Sequence, residues 1–338
     1  MGCRKGLPGR QCHAALYGVP HLSKAIPANT AASVKQRLLN RAKAQKEDFN
    51  LLLTKYALER ILYRISQSAH KEIFVLKGAL LFELWTEQTH RPTRDADFLS
   101  QGENSLERFQ KIFREICELK VADDGLRFDP ASVKAERIKE DQDYEGIRVT
   151  FLGYLEAARL PVQIDIGFGD AITPAPVETP FPTLLEYPAP LLFAYPRETV
   201  VAEKFEALVK LGRANTRMKD FHDLRILASL FSFDSQALSE AIRRTFERRK
   251  TAVPIGALPT ALTSEFYEDE TKQKQWDAFI SKNKLYIDPI PLREVIAAIS
   301  SFVLPILPPP APQDLPDLQW EPSGPWMAMP AHSTTTTE

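Results

Sequence analysis

Apolar residues recur at steps of three and four from Thr30 onward. Phe49, Leu52, Leu53 and Tyr56 are followed by Leu58, Ile61, Leu62 and Ile65, which is the spacing of one helical face. This predicts one long amphipathic helix or a pair of them. The polar break "SQSAHKE" ends it, and the short apolar run "IFVL" predicts a strand, followed by a helix over Leu80–Trp85 and a second strand containing "DADF". A helix is expected over Ser105–Leu119, then a polar turn "ADDG", then three strands, "SVKAERI", "GIRVTFLGY" and "PVQIDIGF". Strands and helices thus alternate to about Gly169, the pattern of a mixed sheet with flanking helices. Residues 173–196 are rich in Pro and read as a linker. Helical periodicity then returns over Arg197–Leu211, Lys219–Ser229, Ser235–Lys250, Lys272–Lys282 and Pro291–Phe302.

The expected organisation is α+β: a loose arm over 1–28, a mixed-sheet unit with N-terminal helices over 29–172, the linker over 173–196, an all-helical unit over 197–304, and a Pro-rich tail over 305–338 that is disordered or straps the surface. Trp276 and Phe279, at helical spacing, are expected in the core.

Composition narrows the class rather than the activity. The 338 residues carry a formal charge of −1, which neither indicates nor excludes nucleic acid. Cys3, Cys12 and Cys117 are too few and too irregularly spaced for a disulfide framework or a zinc site, and a reducing cytoplasm fits them best. The longest apolar stretch, Val295 to Leu307, falls short of the roughly 18 residues of a membrane span and contains Pro305. No membrane role is expected.

The chemistry concentrates in two strands. Side chains alternate along a strand, so Asp95 and Asp97 share one face while Ala96 and Phe98 take the other. Asp165 stands in the same way on the polar face of "VQIDIGF", and if the strands are neighbours three carboxylates meet. Two unit charges about 4 Å apart repel by about 4 kcal/mol at an effective dielectric near 20, so a cation is expected among them. Oxygen ligands suit Mg2+, and two such ions would clamp the attacking and leaving oxygens of a phosphoryl displacement. Lys77-Gly78-Ala79, between strand and helix, offers backbone N–H groups as an anion seat, or is simply a turn. Arg91 and Arg94 bracket Thr93 just before Asp95, and either reach phosphate or base or form surface ion pairs. In "AIRRTFERRK" the basic residues Arg243, Arg244, Arg248, Arg249 and Lys250 either track an RNA backbone or form a solvated face.

"LKGALLFELW…HRPTRDADF", "VQIDIGFGD", "PRETVVAEKFEALVKLG" and "RMKDFHDL" together resemble the AbiEii/AbiGii toxin-type nucleotidyltransferases of the DNA polymerase β-like superfamily. The likeness runs from about Asp48 to Ser229, and one departure is Ala79, where many relatives carry Gly or Ser. It implies a nucleotidyltransferase domain whose active site the helical unit helps to form. It further implies transfer of a nucleoside monophosphate from an NTP, with two Mg2+ ions, to an acceptor hydroxyl, foremost the 3′ end of tRNA or another RNA, by the toxin of a toxin–antitoxin or abortive-infection pair. Asp95 and Asp97 would be the ligands of both metals, with Asp165 the third ligand and general base. Lys204 would reach the NTP phosphates, and Asp220 and Asp223 match the later acidic positions, Asp220 on the nucleotide side and Asp223 among the catalytic residues. Lys77, Gly78, Ala79, Arg91, Thr93 and Arg94 would complete the nucleotide site. The expected partners are NTP, the RNA acceptor and a cognate antitoxin. Competing readings are transfer to a protein or small molecule, and a non-catalytic binding module that retains the cleft.

Overall fold

The computed structural model describes residues 29–86, 91–141, 144–308 and 316–328. The expected arm over 1–28 lies outside them. Two helices open the chain, α1 (Thr30–Gln45) and α2 (Phe49–Gln67), each started by a side chain that accepts from a first-turn N–H: Asn29 from Ala32 at 3.0 Å and Asp48 from Leu51 at 2.7 Å. The chain continues through β1 (Phe74–Lys77), α3 (Leu80–Thr86), β2 (Ala96–Ser100), α4 (Leu106–Glu118), β3 (Leu126–Asp141), β4 (Tyr144–Leu155), β5 (Ala158–Phe168), β6 (Val177–Pro180) and β7 (Leu191–Ala194). After these come α5 (Arg197–Leu211), α6 (Met218–Leu230), β8 (Phe233–Asp234), α7 (Ser235–Arg248), α8 (Ser264–Tyr267), α9 (Glu270–Lys282), α10 (Leu292–Val303), β9 (Leu318–Trp320) and β10 (Trp326–Ala328). The architecture is α+β.

Seven strands form one mixed sheet in the order β3-β4-β5-β2-β1-β7-β6. β2 runs parallel to β5 and β1 parallel to β7, while the other neighbours are antiparallel. The apolar face of the central strands packs on α2 and α4, where Phe74 meets Phe98, Phe109 and Phe113 with ring centroids 5.4, 6.2 and 5.8 Å apart. α2 also carries charge into this interior. Arg60 and Arg64 converge on Asp124, with Arg64 Nη1 2.7 Å from Oδ2, and Tyr56 donates to the Asp124 carbonyl. Asp124, expected in a polar turn, is thus buried and ties α2 to the start of β3.

The segment 173–196 is not a linker. Its "VETP" and "LLFA" runs are β6 and β7, which extend the sheet beyond β1, because Leu192 and Ala194 alternate inward with more exposed neighbours. Pro is tolerated there because β6 is the sheet edge. Of the tail, residues 316–328 form a strap: β9 pairs with β8 on one side and β10 on the other in a second, three-stranded sheet. Trp276 is buried as expected, with Phe279 half-buried against it.

Candidate active site

Strand register assembles one charged row across the polar face of the sheet. Lys77 on β1 is opposite Asp97 on β2, Asp97 is opposite Asp165 on β5, Asp165 opposite Arg148 on β4, and Arg148 opposite Glu136 on β3. Ala96 and Phe98 lie fully buried on the other face, as the alternation requires. Gly78 follows Lys77 with φ +76°, and a Cβ built there would collide with the Asp97 carboxylate. Glycine is needed because Asp97 occupies the space of its missing side chain. Just before β2, the buried Thr93 hydroxyl donates to Oδ1 of Asp95 at 2.6 Å.

The carboxylates of the row are treated unequally. Arg148 donates from Nε to Oδ1 of Asp165 at 2.8 Å and from Nη2 to Oδ2 at 2.7 Å, a bidentate pair. Asp97 has no such partner in its own plane. Burial pushes its carboxyl up to about 6, Asp95 adds to this, Lys77 opposes it, and Asp165 raises it again. Among the described residues, no group of three His, Cys, Asp or Glu side chains is arranged to hold a metal ion. The expected three-carboxylate seat is therefore not closed, because Asp165 is turned toward Arg148 across the β4–β5 ladder. Asp95 and Asp97 remain as a pair of oxygen donors whose mutual repulsion suits a hard divalent cation.

Helices α5 and α6 close the opposite wall. Lys204 Nζ sits 2.8 Å from Asp220 Oδ1 and 2.8 Å from Asp223 Oδ2, while Arg91 grips Asp223 with two hydrogen bonds of 3.0 Å. Arg217 Nε reaches the second oxygen of Asp220 at 2.7 Å. Burial works against the Lys204 charge, but Asp220 and Asp223 outweigh it and its pKa is raised. Burial likewise opposes ionisation of Asp223, yet Arg91 and Lys204 hold it well below the usual carboxylate range. The two aspartates are thus spent on orienting three cations, Lys204, Arg91 and Arg217.

Lys77, Gly78, Ala79, Arg91, Asp97, Lys204 and Asp220 line a single cleft of about 150 Å3. Asp223 and Arg94 do not line it; Asp223 lies behind its wall, paired to Arg91 and Lys204, and Arg94 lines a neighbouring groove. The basic run on α7 does not present a free face. Glu240 accepts from both Arg243 and Arg244, Arg248 donates to the Gly169 carbonyl, and Arg249 turns inward.

A family model described as "Nucleotidyl transferase AbiEii toxin, Type IV TA system" matches residues 60–298, a span that contains every residue of the cleft. The chain belongs to this family. This AbiEii-family protein is a nucleotidyltransferase of the toxin type, and the type IV toxin–antitoxin class implies an antitoxin partner. No curated protein matches its sequence. Its fold was compared with solved structures, and JHP933 from Helicobacter pylori is 14% identical, with a TM-score of 0.42 over 80% of this chain and 92% of that one. A second H. pylori structure, described as a candidate nucleotidyltransferase, is 14% identical with a TM-score of 0.40 over 79% and 94%. No helix is long and apolar enough to cross a membrane among the described residues.

Four residues escape a reading of the sequence: Asp170 and Glu203, which line the AbiEii-family cleft, and Glu206 and Arg148 beside it. Asp170 stands between Lys77 Nζ at 3.5 Å and Arg249 Nη2 at 3.2 Å, and Arg249 also meets Glu203 at 3.4 Å and Glu206 at 3.0 Å. For Asp170 the only signal was its place just after "DIGFG", and for Arg148 its position opposite Asp165 once the hairpin register is known.

Proposed function

We propose that this protein transfers a nucleoside monophosphate from an NTP to an acceptor hydroxyl, with the 3′ end of tRNA as the acceptor, and that a cognate antitoxin restrains it. The observation that carries the reading is the facing arrangement of Asp97, in register with Lys77 and Asp165, and of Lys204 and Arg91 across one cleft. Asp95 and Asp97 would hold Mg2+, which neutralises charge on the triphosphate when bound. Lys77, Lys204 and Arg91 face the phosphates as fixed cations, and Gly78 and Ala79 line the cleft beside them. Phosphoryl transfer asks chiefly for such positioning and charge neutralisation.

In the step itself the acceptor oxygen attacks the α-phosphorus, its proton passes to Asp165, and the bond to pyrophosphate breaks. Arg148 orients the Asp165 carboxylate for that proton. Asp220 and Asp223 are positioning residues, since they touch Lys204 and Arg91 rather than the substrate. Thr93 fixes the Asp95 rotamer, and Arg94 serves outside the cleft.

Incubation with Mg2+, each α-labelled NTP and total tRNA tests the reading. Label is expected in RNA, and Asp97→Asn is expected to abolish it while circular dichroism shows an unchanged fold. Label on protein instead of RNA would overturn the acceptor, and no label anywhere would overturn the transfer.

A further inference from the structure

A groove leaves the cleft and runs between the approach to β2 and helices α6 and α9. Arg91, Arg217 and Lys219 line both, so cleft and groove are one continuous surface. The groove has a volume of about 950 Å3 and carries five cations against a single carboxylate, Asp48, which is already engaged as the cap of α2. Arg91 and Arg217 are committed to Asp223 and Asp220. Arg94, Lys219 and Lys282 are exposed and form no ion pair among the described residues. Between them stand the half-buried rings of Phe279 and Tyr286, beside Leu285, which is 72% exposed.

From this geometry we infer that the groove is the acceptor track. It seats a single-stranded polynucleotide whose terminal hydroxyl is directed to Asp97 and Asp165. The inference rests on the transfer reading above. Unpaired cations spaced along an acid-poor channel match a repeating phosphate backbone, and half-exposed rings offer sequence-tolerant stacking to bases. The basic helix α7, by contrast, spends its charge on Glu240, Gly169 and Asp170.

Fluorescence anisotropy of the full chain in EDTA tests the track, with a labelled single-stranded RNA of roughly 12 nucleotides as probe and the same sequence as DNA in parallel. Arg94→Glu/Lys282→Glu is expected to weaken binding at least tenfold and to reduce the slope of log K against log salt by about 1.4, the effect of two lost phosphate contacts. Neither residue lines the cleft, so NTP binding by calorimetry should be unchanged. Arg94→Gln/Lys282→Gln should show the same direction if charge reversal harms folding. Arg243→Glu/Arg244→Glu on α7 should bind as wild type. Wild-type affinity in both groove variants, or loss in the α7 variant alone, overturns the track while leaving nucleotidyl transfer intact. Failure of wild type to bind either polynucleotide, with label passing to protein, also overturns it. Groove-dependent binding without any labelling overturns the transfer reading and keeps the track.

Discussion

Burial pushes the Asp97 carboxyl up to about 6, and Asp95 and Asp165 push the same way against Lys77 and Lys219. Because this folded-state value lies above the ordinary 3.8, the native protein holds that proton more tightly than the unfolded chain. The resulting stability is fully present below pH 3.8 and is lost as pH rises through about 6. In EDTA, Asp97→Asn should therefore be more stable than wild type at pH 8, on the order of 2 kcal/mol, with the advantage gone below pH 4. Urea denaturation at both pH values measures it, and equal stability at pH 8 would contradict it. A charge retained at a cost in stability in the metal-free state is what a functional role for Asp97 would leave. The strand alternation around Ala96 and Phe98 made Asp95 and Asp97 legible in the sequence. The reason for Gly78 was not legible, since its missing side chain makes room for the Asp97 carboxylate, and nothing local in "LKGALL" encodes that contact.

Helix α6 is where local spacing and tertiary partnering separate. Asp220 and Asp223, three residues apart, share a helical face by periodicity alone. Their partners come from α5 and from the approach to β2, which no period in the sequence connects. Asp223→Ala would leave Arg91 without its carboxylate and Lys204 with Asp220 alone, a loss of up to about 3 kcal/mol. The double variant Arg91→Ala/Asp223→Ala should recover part of that loss, and a double-mutant cycle by urea denaturation reads the coupling. Additive effects would mean that the pair is not the unit it forms here. The same separation explains the segment 173–196, where Pro-rich composition pointed to a linker. The β7 run "LLFA" is only four residues long, and its parallel pairing to β1 depends on a strand about a hundred residues earlier. Long-range parallel pairing leaves little local trace.

For the molecule as a whole, the strap from 316 to 328 joins elements that are distant along the chain. Trp320 donates its indole N–H to the Ala228 carbonyl at the end of α6 at 2.7 Å, and Trp326 donates to Phe302 of α10 at 2.8 Å. Both rings lie against Phe302, with centroids 5.0 and 6.0 Å away. Trp320 is 3% exposed, so its truncation removes a full aromatic side chain and one of the two donors to the Ala228 carbonyl, the Ser323 N–H being the other. Trp320→Ala should cost about 3–5 kcal/mol. Because Ala228 sits two helical turns beyond Asp220 on α6, the loss should loosen the end of that helix before it reaches the Lys204 pairings. Amide hydrogen exchange should then rise first at the C-terminal turn of α6 and in α10, with nucleotide binding at low temperature retained. Exchange rising uniformly across the sheet as well would mean that the strap stabilises the fold globally rather than through α6, and the helical wall of the cleft would then owe its position to the sheet.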